Sequence, residues 1–420
     1  MPAGNPDGGD RRARRWLFLV AAAGLLLRLA FEFGYWTGEV LTRDEREYLS
    51  LARSVAAGHG FVYDAEVKSG PVDPFGRAPG YPLFLALVGG GGSVTPSVPA
   101  SVKTAQAVVG SLGVVLVGLL ARRLAGDRAM IAAAAIAACY PPLVWISAYA
   151  FSEAIFWPLG LLVAWIFQRH RVSFYEKRKT TPDVVFAGVL TGAAILIRPA
   201  MLFFVPLAAA WLLWKRRPGA ALGFVLASAI VIAPWTIRNY QHYGRFVLVA
   251  SEGGVTFWTG NHPLARGDGD LAANPELKRE QQALAAKYPS LTEEALEPIY
   301  YREALAWMRA HPIDWLGLEL RKVFYLIVPI GPSYRVHSTR YYLASIVPYL
   351  VLLPVAIAGW LRLGPARSHT PGLWLLVGSA VLVCLVFFPQ ERFRIPVIDP
   401  ALTVLAGTLW RPRSTVDRPA

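Results

Sequence analysis

The segment Leu17–Trp36 reads LFLVAAAGLLLRLAFEFGYW, and it decides the fold of this chain. It holds about twenty residues, nearly all apolar, which is the length an α-helix needs to cross the hydrocarbon core of a bilayer. The chain of 420 residues is 55% hydrophobic and 17% charged. Soluble domains carry roughly a quarter charged residues. The sequence therefore predicts an all-α polytopic membrane protein.

Further apolar segments follow the first one, so we expect about ten transmembrane helices. The predicted spans are 16–36, 101–121, 129–148, 152–168, 184–198, 199–214, 219–237, 341–362, 372–389 and 394–410. Pro199 separates two short spans and predicts a turn or a kink between them. The apolar stretch Val323–Ile330 is too short to cross alone, and we expect it to lie along the interface.

Basic residues cluster in alternate gaps between the predicted spans. The clusters are Arg11, Arg12, Arg14 and Arg15; Arg122, Arg123 and Arg128; Arg169, Arg171, Lys177, Arg178 and Lys179; Lys215, Arg216 and Arg217; Arg362 and Arg367; Arg411 and Arg413. This alternation follows the positive-inside rule, so both termini and these loops are expected in the cytoplasm. The net charge of +14 then reflects topology and contact with anionic lipid. Nucleic acid is not an expected partner.

Under this topology the chain divides into two tails and one membrane unit. We expect a basic cytoplasmic tail at 1–15, a transmembrane unit over 16–410 and a cytoplasmic tail at 411–420. The loops 37–100 and 238–340 are the large ones on the outer side, and the second predicts a modest subdomain. The first span is longer than the apolar core of a signal peptide, so no cleaved signal is expected.

The first outer loop contains the acidic pair Asp44–Glu45 at the start of a predicted amphipathic helix. Gly58 and Gly60 are expected to end this helix, which would lie flat on the bilayer. One interpretation is structural, because Thr42 and Glu45 have the spacing of a capping box and Asp44 favours the positive helix end. The other is catalytic, because a partly desolvated carboxylate can take a proton from a hydroxyl. The two interpretations are compatible.

Glu153, beside Ser152, stands at the outer end of the fourth predicted span. An ionisable group at a span end costs little, so it is tolerated there without a function. It would nonetheless lie at the same membrane level as Asp44. Two acidic groups at that level could orient an acceptor or hold a cation, and the sequence leaves both roles open.

Several arginines stand at outer ends of spans, where the positive-inside rule disfavours them. They are Arg77, Arg198, Arg238 beside Asn239, and Arg392 with Arg394. A guanidinium group binds phosphate through two parallel hydrogen bonds. The alternative for each one singly is contact with lipid headgroups. As a set, they favour a phosphate site.

The run Trp258-Thr259-Gly260-Asn261 adds an aromatic and an amide side chain in the second outer loop. Aromatic residues gather at bilayer interfaces in any case, so an interfacial belt and the stacking of a sugar are both open. The sequence has no His/Cys spacing of a zinc site, no P-loop and no dinucleotide fingerprint. Cys139 and Cys384 lie inside apolar segments and imply no disulfide framework.

These motifs, taken in order, resemble the GT-C class of membrane glycosyltransferases. The first outer loop carries Asp44-Glu45-x-x-Tyr48 and then Arg77-x-Pro79-Gly80-Tyr81-Pro82. Later motifs are Ser152-Glu153, Ile197-Arg198-Pro199, Pro234-Trp235-x-x-Arg238-Asn239, Trp258-x-Gly260-Asn261 and Glu391-Arg392-Phe393-Arg394-x-Pro396. Within this class the chain resembles bacterial members of the dolichyl-phosphate-mannose protein mannosyltransferase family and the aminoarabinose lipid A transferases.

The resemblance implies a hexosyl or pentosyl transferase with an outward-facing site in the bacterial cytoplasmic membrane. It implies a polyprenyl-phosphate sugar donor, inversion at the anomeric carbon, and a lipid, glycan or protein acceptor. Asp44, Glu45 and Glu153 are then the catalytic candidates, with Asp44 as the base. The candidates for binding lipid phosphate or sugar are Arg77, Tyr81, Arg198, Arg238, Asn239, Asn261, Arg392 and Arg394. No metal is assigned, because metal use varies among such proteins and a divalent cation stays an open alternative.

Two other functions stay open on the sequence alone. A transporter or flippase of lipid-linked sugars would need polar or broken helices near the bilayer midplane. The ionisable residues concentrate at span ends instead, and Arg28, inside the first span, is the exception that keeps this alternative open. A non-catalytic scaffold for envelope polysaccharide assembly is the second alternative. The chain is shorter at its C-terminal end than the lipid A transferases, so the acceptor is less certain than the reaction class.

Overall fold

A computed structural model of the protein describes residues 6–67, 76–169, 181–269, 271–331 and 338–411. Across these ranges the regular structure is helical, without a β-strand, which confirms the all-α prediction. The predicted tails before residue 6 and after residue 411 lie outside the described residues, as does most of the basic loop at 169–179.

The helices are numbered here in chain order. Through the first half of the described chain they are α1 (Pro6–Ala30), α2 (Arg43–Ala56), α3 (Gly80–Leu87), α4 (Ala100–Ala125), α5 (Asp127–Cys139), α6 (Pro141–Trp145), α7 (Glu153–Arg169), α8 (Thr181–Ile197) and α9 (Phe204–Trp214). The second half has α10 (Pro218–Tyr243), α11 (Gly253–Gly260), α12 (Pro275–Ala286), α13 (Glu293–Ala310), α14 (Pro312–Ile327), α15 (Thr339–Arg362), α16 (Pro371–Val386), α17 (Glu391–Arg394) and α18 (Ile398–Gly407).

Within the described ranges, 4 helices are long and apolar enough to cross a membrane. They are Arg11–Tyr35, which extends α1 by a π-helical turn, and α4, α10 and α15. A bent pair, Asp127–Cys139 with Pro141–Ala148, raises the number to 5 if it counts as one span. The shorter apolar helices α7, α8, α9, α16 and α18 coincide with other predicted spans. Several apolar helices are thus established, and a total of about ten spans remains a prediction.

The predicted span 129–148 is broken rather than straight. α5 ends at Cys139, α6 begins at Pro141, and the two parts meet at 64°. Each of the paired prolines lacks an N–H group, and a proline disfavours helical geometry in the residue before it. The bend matters for the site, because the N–H of Ala150 just beyond it donates to Glu45 of α2 across 3.0 Å.

Small residues let the apolar helices approach one another closely. α8 packs against α10, and a Cβ at Gly188 would lie 2.5 Å from the carbonyl oxygen of Phe224. The hydroxyl of Ser228 donates to the carbonyl of Gly188 across the same interface at 2.9 Å. Such contacts replace the hydrophobic driving force that helices lack inside lipid. They hold α8 and α10 against each other.

The second outer loop folds into α11 to α14 around a small core of its own. Trp258, Leu277, Leu284, Tyr300 and Ala304 are buried together there. The apolar stretch predicted at 323–330 begins as the last turn of the amphipathic helix α14. This outer unit lies over the ends of α8, α10 and α16, and it closes one side of the site described next.

Candidate active site

Two carboxylates and three arginines from distant parts of the chain form a connected cluster. Asp44 accepts a hydrogen bond from Arg77, with Nη2 and Oδ1 2.7 Å apart, and another from Nη1 of Arg392. Arg392 also donates from Nε to Oε1 of Glu153 across 2.7 Å. Arg392 therefore bridges the two acidic groups that the sequence singled out. Arg198 completes the cluster, since its Nη1 lies 3.1 Å from Oε1 of Glu153.

α2 places Asp44 at this point, as predicted from the sequence. The helix runs from Arg43 to Ala56, and both bonds of the capping box between Thr42 and Glu45 are present. The side chain of Glu45 is buried, and it accepts from the hydroxyl and N–H of Thr42 and from the N–H of Ala150. Glu45 is thus held in structural contacts, while Asp44 points to the arginines.

Arg77 has two further carboxylate partners that the sequence analysis missed. Glu47 is buried and accepts from Nε and Nη2 of Arg77 at 2.9 and 2.7 Å. Glu252 of the outer unit lies 3.4 Å from Nη1 of the same guanidinium. Glu47 follows Asp44 by three residues, which puts both on one helix face. That spacing could have identified Glu47 from the sequence, whereas no sequence pattern points to Glu252.

Aromatic rings and hydroxyl groups also contact the residues of the cluster. The ring of Tyr48 lies 5.0 Å from the guanidinium of Arg77, and its hydroxyl donates to Ser152. Arg392 lies over Phe151 at 4.2 Å. Cation–π contacts of this kind add to the ion pairs when the groups are desolvated. The cluster is therefore fixed on several sides before any ligand binds.

The charges set the protonation of the cluster. Burial alone would raise the pKa of Asp44, but the positive charges of Arg392 and Arg77 outweigh it and hold this pKa well below its ordinary value. Burial would lower the pKa of Arg392, and the carboxylates of Glu153 and Asp44 raise it instead. Asp44 is thus an anion in the resting protein.

A cavity of about 510 Å³ lies against this cluster. Its polar wall includes Tyr48, Arg77, Ser152, Arg198, Glu252 and Arg392. The apolar wall includes Phe203, Phe387 and Phe388. Asp44 and Glu153 stand behind the arginines and contact the cavity through them. The side chain of Asp44 keeps 26% of its surface exposed, whereas Glu153 has none. Of these two carboxylates, only Asp44 is accessible to solvent.

The other predicted binding residues lie outside this cavity wall. Tyr81 is buried and donates to Gln106 across 2.6 Å. Arg238 packs on Trp235 and Tyr243, and Asn239 donates to the carbonyl of Val247. Arg394 pairs with Asp399 at 3.0 Å and bonds Ser345. These contacts are internal to the protein.

Asn261 joins the outer unit to the membrane helices. Its amide donates to the carbonyls of Phe257 and Val386, and its oxygen accepts from Trp315 and Lys322. Lys322 is fully buried. The adjacent Gly260 has room for no side chain, because a Cβ would lie 1.8 Å from the carbonyl oxygen of Phe387. The aromatic motif around Trp258 therefore has a structural role in this arrangement.

Within the described ranges, no three His, Cys, Asp or Glu side chains are grouped so that they could hold a metal ion. The acidic groups of the cluster are instead paired with arginines. What the arrangement offers chemically is a set of guanidinium groups facing a cavity, with Asp44 as an accessible carboxylate beside them. Such a set suits the binding of a phosphate and the transfer of a proton.

Comparison with known proteins gives three informative matches. The sequence model of the dolichyl-phosphate-mannose-protein mannosyltransferase family matches residues 77–237. An undecaprenyl phosphate-alpha-4-amino-4-deoxy-L-arabinose arabinosyl transferase of Pseudomonas aeruginosa is 27% identical over 311 residues, which cover 70% of this chain and 52% of the relative. The oligosaccharyltransferase AglB of Archaeoglobus fulgidus, in complex with an inhibitory peptide and a dolichol-phosphate, superposes with a TM-score of 0.55 at 14% identity, covering 94% of this chain and 50% of that one.

These matches confirm the resemblance to membrane glycosyltransferases of the GT-C class. The likeness to AglB is one of fold, given the low identity. The chain spans about half of the length of the curated relatives it matches. The match to the family covers the segment that carries Arg77, Glu153 and Arg198, and it ends just before Arg238.

Proposed function

We propose that this protein transfers a sugar from a polyprenyl-phosphate carrier to an acceptor hydroxyl at the outer face of a bacterial cytoplasmic membrane, with inversion at the anomeric carbon. One observation carries the proposal: Arg77, Arg198 and Arg392 face a single cavity and are backed by Asp44 and Glu153. The relative from Pseudomonas aeruginosa is named for an undecaprenyl-phosphate sugar, and AglB binds a dolichol-phosphate. Both names support a lipid phosphate as the ligand of the arginines.

The arginines would receive the leaving group. As the glycosidic bond breaks, its electron pair moves to the phosphate oxygen, and negative charge grows there. Guanidinium groups that are already in place stabilise this charge without reorganisation. The apolar wall beside them, with Phe203, Phe387 and Phe388, suits the first isoprenoid units of the carrier.

Asp44 would act as the base. The acceptor hydroxyl gives its proton to Asp44, and its oxygen attacks the anomeric carbon while the bond to phosphate breaks. In the resting state two arginines stabilise the carboxylate, so it is a weak base. A bound phosphate competes for the same guanidinium donors. Donor binding would therefore release Asp44 and raise its pKa, because burial then acts unopposed.

Glu153 would position the neighbouring arginines and would not transfer a proton. It is fully buried and is bound by Arg198 and Arg392. Removing it would take the carboxylate from Arg198 and would leave Arg392 with Asp44 as its acidic partner, and breaking a largely buried ion pair in this way is costly. We assign Glu153 the role of positioning these two arginines.

The distribution of basic residues supports the topology. The clusters at Arg122 and Arg123 and at Lys215 to Arg217 stand at the ends of α4 and α9, and by the positive-inside rule these ends face the cytoplasm. The tails 1–15 and 411–420 would share that side, and the loops 37–100 and 238–340 would form the outer part of one unit over 16–410.

The transporter hypothesis rested on Arg28, which is fully buried in α1. Its Nη1 donates to the carbonyl of Gly24 within the same helix, and it does not line the cavity beside Asp44. Its position is that of a helix-packing group. Glycosyl transfer accounts for the arginine cluster, and transport does not require it.

The test is the substitution Asp44→Asn, assayed in membranes with a radiolabelled polyprenyl-phosphate sugar. We expect release of polyprenyl phosphate and labelling of the membrane acceptor to be abolished. The matched control is Asp127→Asn, since Asp127 is also ion-paired in the first turn of a helix, with Arg122 at 2.7 Å. Near-normal turnover in Asp44→Asn, with the control unchanged, would refute the proposal.

A further inference from the structure

Arg394 stands two residues after Arg392 on the short helix α17. Side chains two residues apart on a helix point about 200° away from each other, because a helix turns by about 100° per residue. Arg392 lines the cavity of the active site. Arg394 is only 2% exposed and contacts α15 and α18. The two guanidinium groups of α17 therefore have different surroundings.

The contacts of Arg394 join α17 to two apolar helices. Its Nη2 donates to the hydroxyl of Ser345 on α15 across 3.1 Å, and its guanidinium lies 4.3 Å from the ring centre of Tyr349 on the same helix. Its Nε lies 3.0 Å from Oδ1 of Asp399, in the first turn of α18. Glu391 of α17 lies farther away, 3.8 Å from Nη2. Asp399 is therefore the closer acidic partner of Arg394.

Asp399 extends this connection to the break between α5 and α6. Its Oδ2 accepts from the hydroxyl of Tyr140 across 3.1 Å, and Tyr140 lies between the last residue of α5 and the first residue of α6. The chain beyond α6 carries Phe151, whose ring contacts the guanidinium of Arg392 at 4.2 Å. The helix that carries Arg392 and the segment that supports it are thus joined through one ion pair.

The ion pair of Arg394 and Asp399 is buried, so it contributes more to geometry than to stability. Asp399 has no exposed surface, and both ions lose hydration in this position. Apolar side chains of similar volume often stabilise a protein as much or more in such a place. What a charge-assisted hydrogen bond adds is a fixed distance and direction between two elements. A helix of 4 residues depends on such contacts, because so short a helix is not stable alone.

We propose that Arg394 is a positioning residue for sugar transfer: held by Asp399, it fixes α17 so that Arg392 meets Asp44 and Glu153. Arg394 itself does not line the active-site cavity, so it acts through Arg392. This deepens the proposed function and rests on it for the word transfer. The placing of Arg392 by Arg394 does not rest on it and can be measured by unfolding.

The first experiment measures the rate of transfer by Arg394→Lys in detergent, with a radiolabelled polyprenyl-phosphate sugar. Lysine keeps the charge but lacks the planar fork that contacts Ser345 and Asp399 together. We expect kcat to fall about ten-fold or more, since a small displacement of a catalytic group is costly. KM for the donor should change little, because the other two arginines of the cavity stay in place. The control is Arg367→Lys, since Arg367 also lies over an aromatic ring, that of Trp360 at 4.2 Å, and it should transfer sugar at the wild-type rate.

The same substitution in the Arg392→Gln background separates positioning from a general loss of folded protein. If Arg394 acts through Arg392, Arg394→Lys should then lower kcat by no more than about two-fold, because the group that it positions is absent. A general loss of folded protein would lower kcat by the same factor in both backgrounds, and this outcome would overturn the assignment to transfer. Full activity of Arg394→Lys in the otherwise unchanged chain would do the same.

The second experiment needs no enzymatic activity. Asp44 is paired with Arg77 and Arg392. Arg394 is paired with Asp399, so its link to Asp44 runs through α17 and Arg392. We therefore expect Asp44→Asn to change the melting temperature by less in the Arg394→Lys background than in the wild type. Additive changes would overturn the placing of Arg392 by Arg394.

Ser345→Ala is the milder variant for the case in which Arg394→Lys does not fold. It removes one hydrogen bond to Nη2 of Arg394 and leaves the pair with Asp399 intact, so the same two cycles apply with smaller effects. If the wild-type chain transferred no sugar at all, the proposed function would fail. The melting temperatures would still decide whether Arg394 holds Arg392 in place.

Discussion

Arg392 and Glu153 lie 239 positions apart in the chain, and Nε of Arg392 donates to Oε1 of Glu153 across 2.7 Å. The contact joins the short helix α17 to the first residue of α7. Because Glu153 is fully buried, the guanidinium groups of Arg198 and Arg392 together compensate for its lost hydration. The guanidinium of Arg392 also reaches Asp44. Arg392 is therefore the residue on which the geometry of the site depends most.

The first prediction concerns this bridge. Arg392→Gln should lower the rate of sugar transfer by about 10²–10³-fold, the usual cost of removing one group that stabilises charge in a transition state. Arg392→Lys keeps the charge but cannot bond both carboxylates with a planar fork, so it should rescue only a small part of the rate. The measurement is the initial rate of polyprenyl phosphate release in detergent.

The control for this bridge is Arg362→Lys, because Arg362 bonds the carbonyl of Leu409 and takes no part in the cluster. It should transfer sugar at the wild-type rate. Full activity of Arg392→Lys would show that a point charge is sufficient, and that the two-pronged geometry of Arg392 has no role.

The second prediction concerns Glu47, which only the structure identified. Glu47→Gln keeps the volume of the side chain but removes the charge that holds Arg77. We expect KM for the donor to rise while kcat changes less, because Arg77 keeps Asp44 as a partner but loses its fixed orientation. The free energy of unfolding should fall by about 1–3 kcal/mol. Glu66→Gln, at an exposed position of the same loop, is the control and should change neither quantity.

The third prediction follows from the lowered pKa of Asp44. A carboxyl group whose pKa is lower in the folded than in the unfolded state adds stability above its unfolded pKa, about 3.9, and this stability is lost as the pH falls toward the folded value. The melting temperatures of the wild type and Asp44→Asn should therefore differ by a constant amount from about pH 5 to pH 8. The difference should narrow below about pH 4. A difference that already narrows between pH 7 and pH 5 would contradict the ion pairs with Arg77 and Arg392.

Local features of the site were predictable from the sequence, and the pairing between distant parts was not. The capping box at Thr42 and Glu45 depends on four consecutive residues, so its pattern sufficed to place Asp44 at the start of α2. The break at Pro141 could have been predicted from the same kind of local rule, but the apolar composition of 129–148 masked it. Which arginine meets which carboxylate depends on how α7, α8 and α17 pack. No sequence spacing encodes that.

Tyr81 shows that a sequence motif can suggest a binding role for a residue that the structure places in the protein interior. Its position in the Arg77-x-Pro79-Gly80-Tyr81-Pro82 motif suggested contact with substrate. In the structure it is fully buried and makes an edge-to-face contact with Tyr48 at 4.8 Å. A motif can be required for folding the site as well as for chemistry, and a single sequence does not separate the two.

The fourth prediction tests the buried network to which Tyr81 belongs. Gln106 accepts from the Tyr81 hydroxyl and donates to the carbonyls of Ser147 and Tyr149 at 2.9 and 2.8 Å. It thereby joins α3 to the segment that leads into Glu153. Gln106→Leu leaves the buried Tyr81 hydroxyl without its acceptor and removes a donor from the carbonyls of Ser147 and Tyr149, although the Tyr149 carbonyl still accepts from the N–H of Phe151. Each buried polar group left without a partner costs about 1–3 kcal/mol. We expect a lower melting temperature together with a lower rate of transfer.

Tyr81→Phe removes the hydroxyl of this network and nothing else. It should destabilise the protein less than Gln106→Leu does, and KM for the donor should stay unchanged because Tyr81 lies outside the cavity wall. In a double-mutant cycle by thermal unfolding, the two substitutions should be non-additive by about 0.5–3 kcal/mol, since they share one hydrogen bond. Additive effects would show that the hydrogen bond contributes nothing. A large rise in KM for Tyr81→Phe would instead place the tyrosine in contact with the donor, as its motif first suggested.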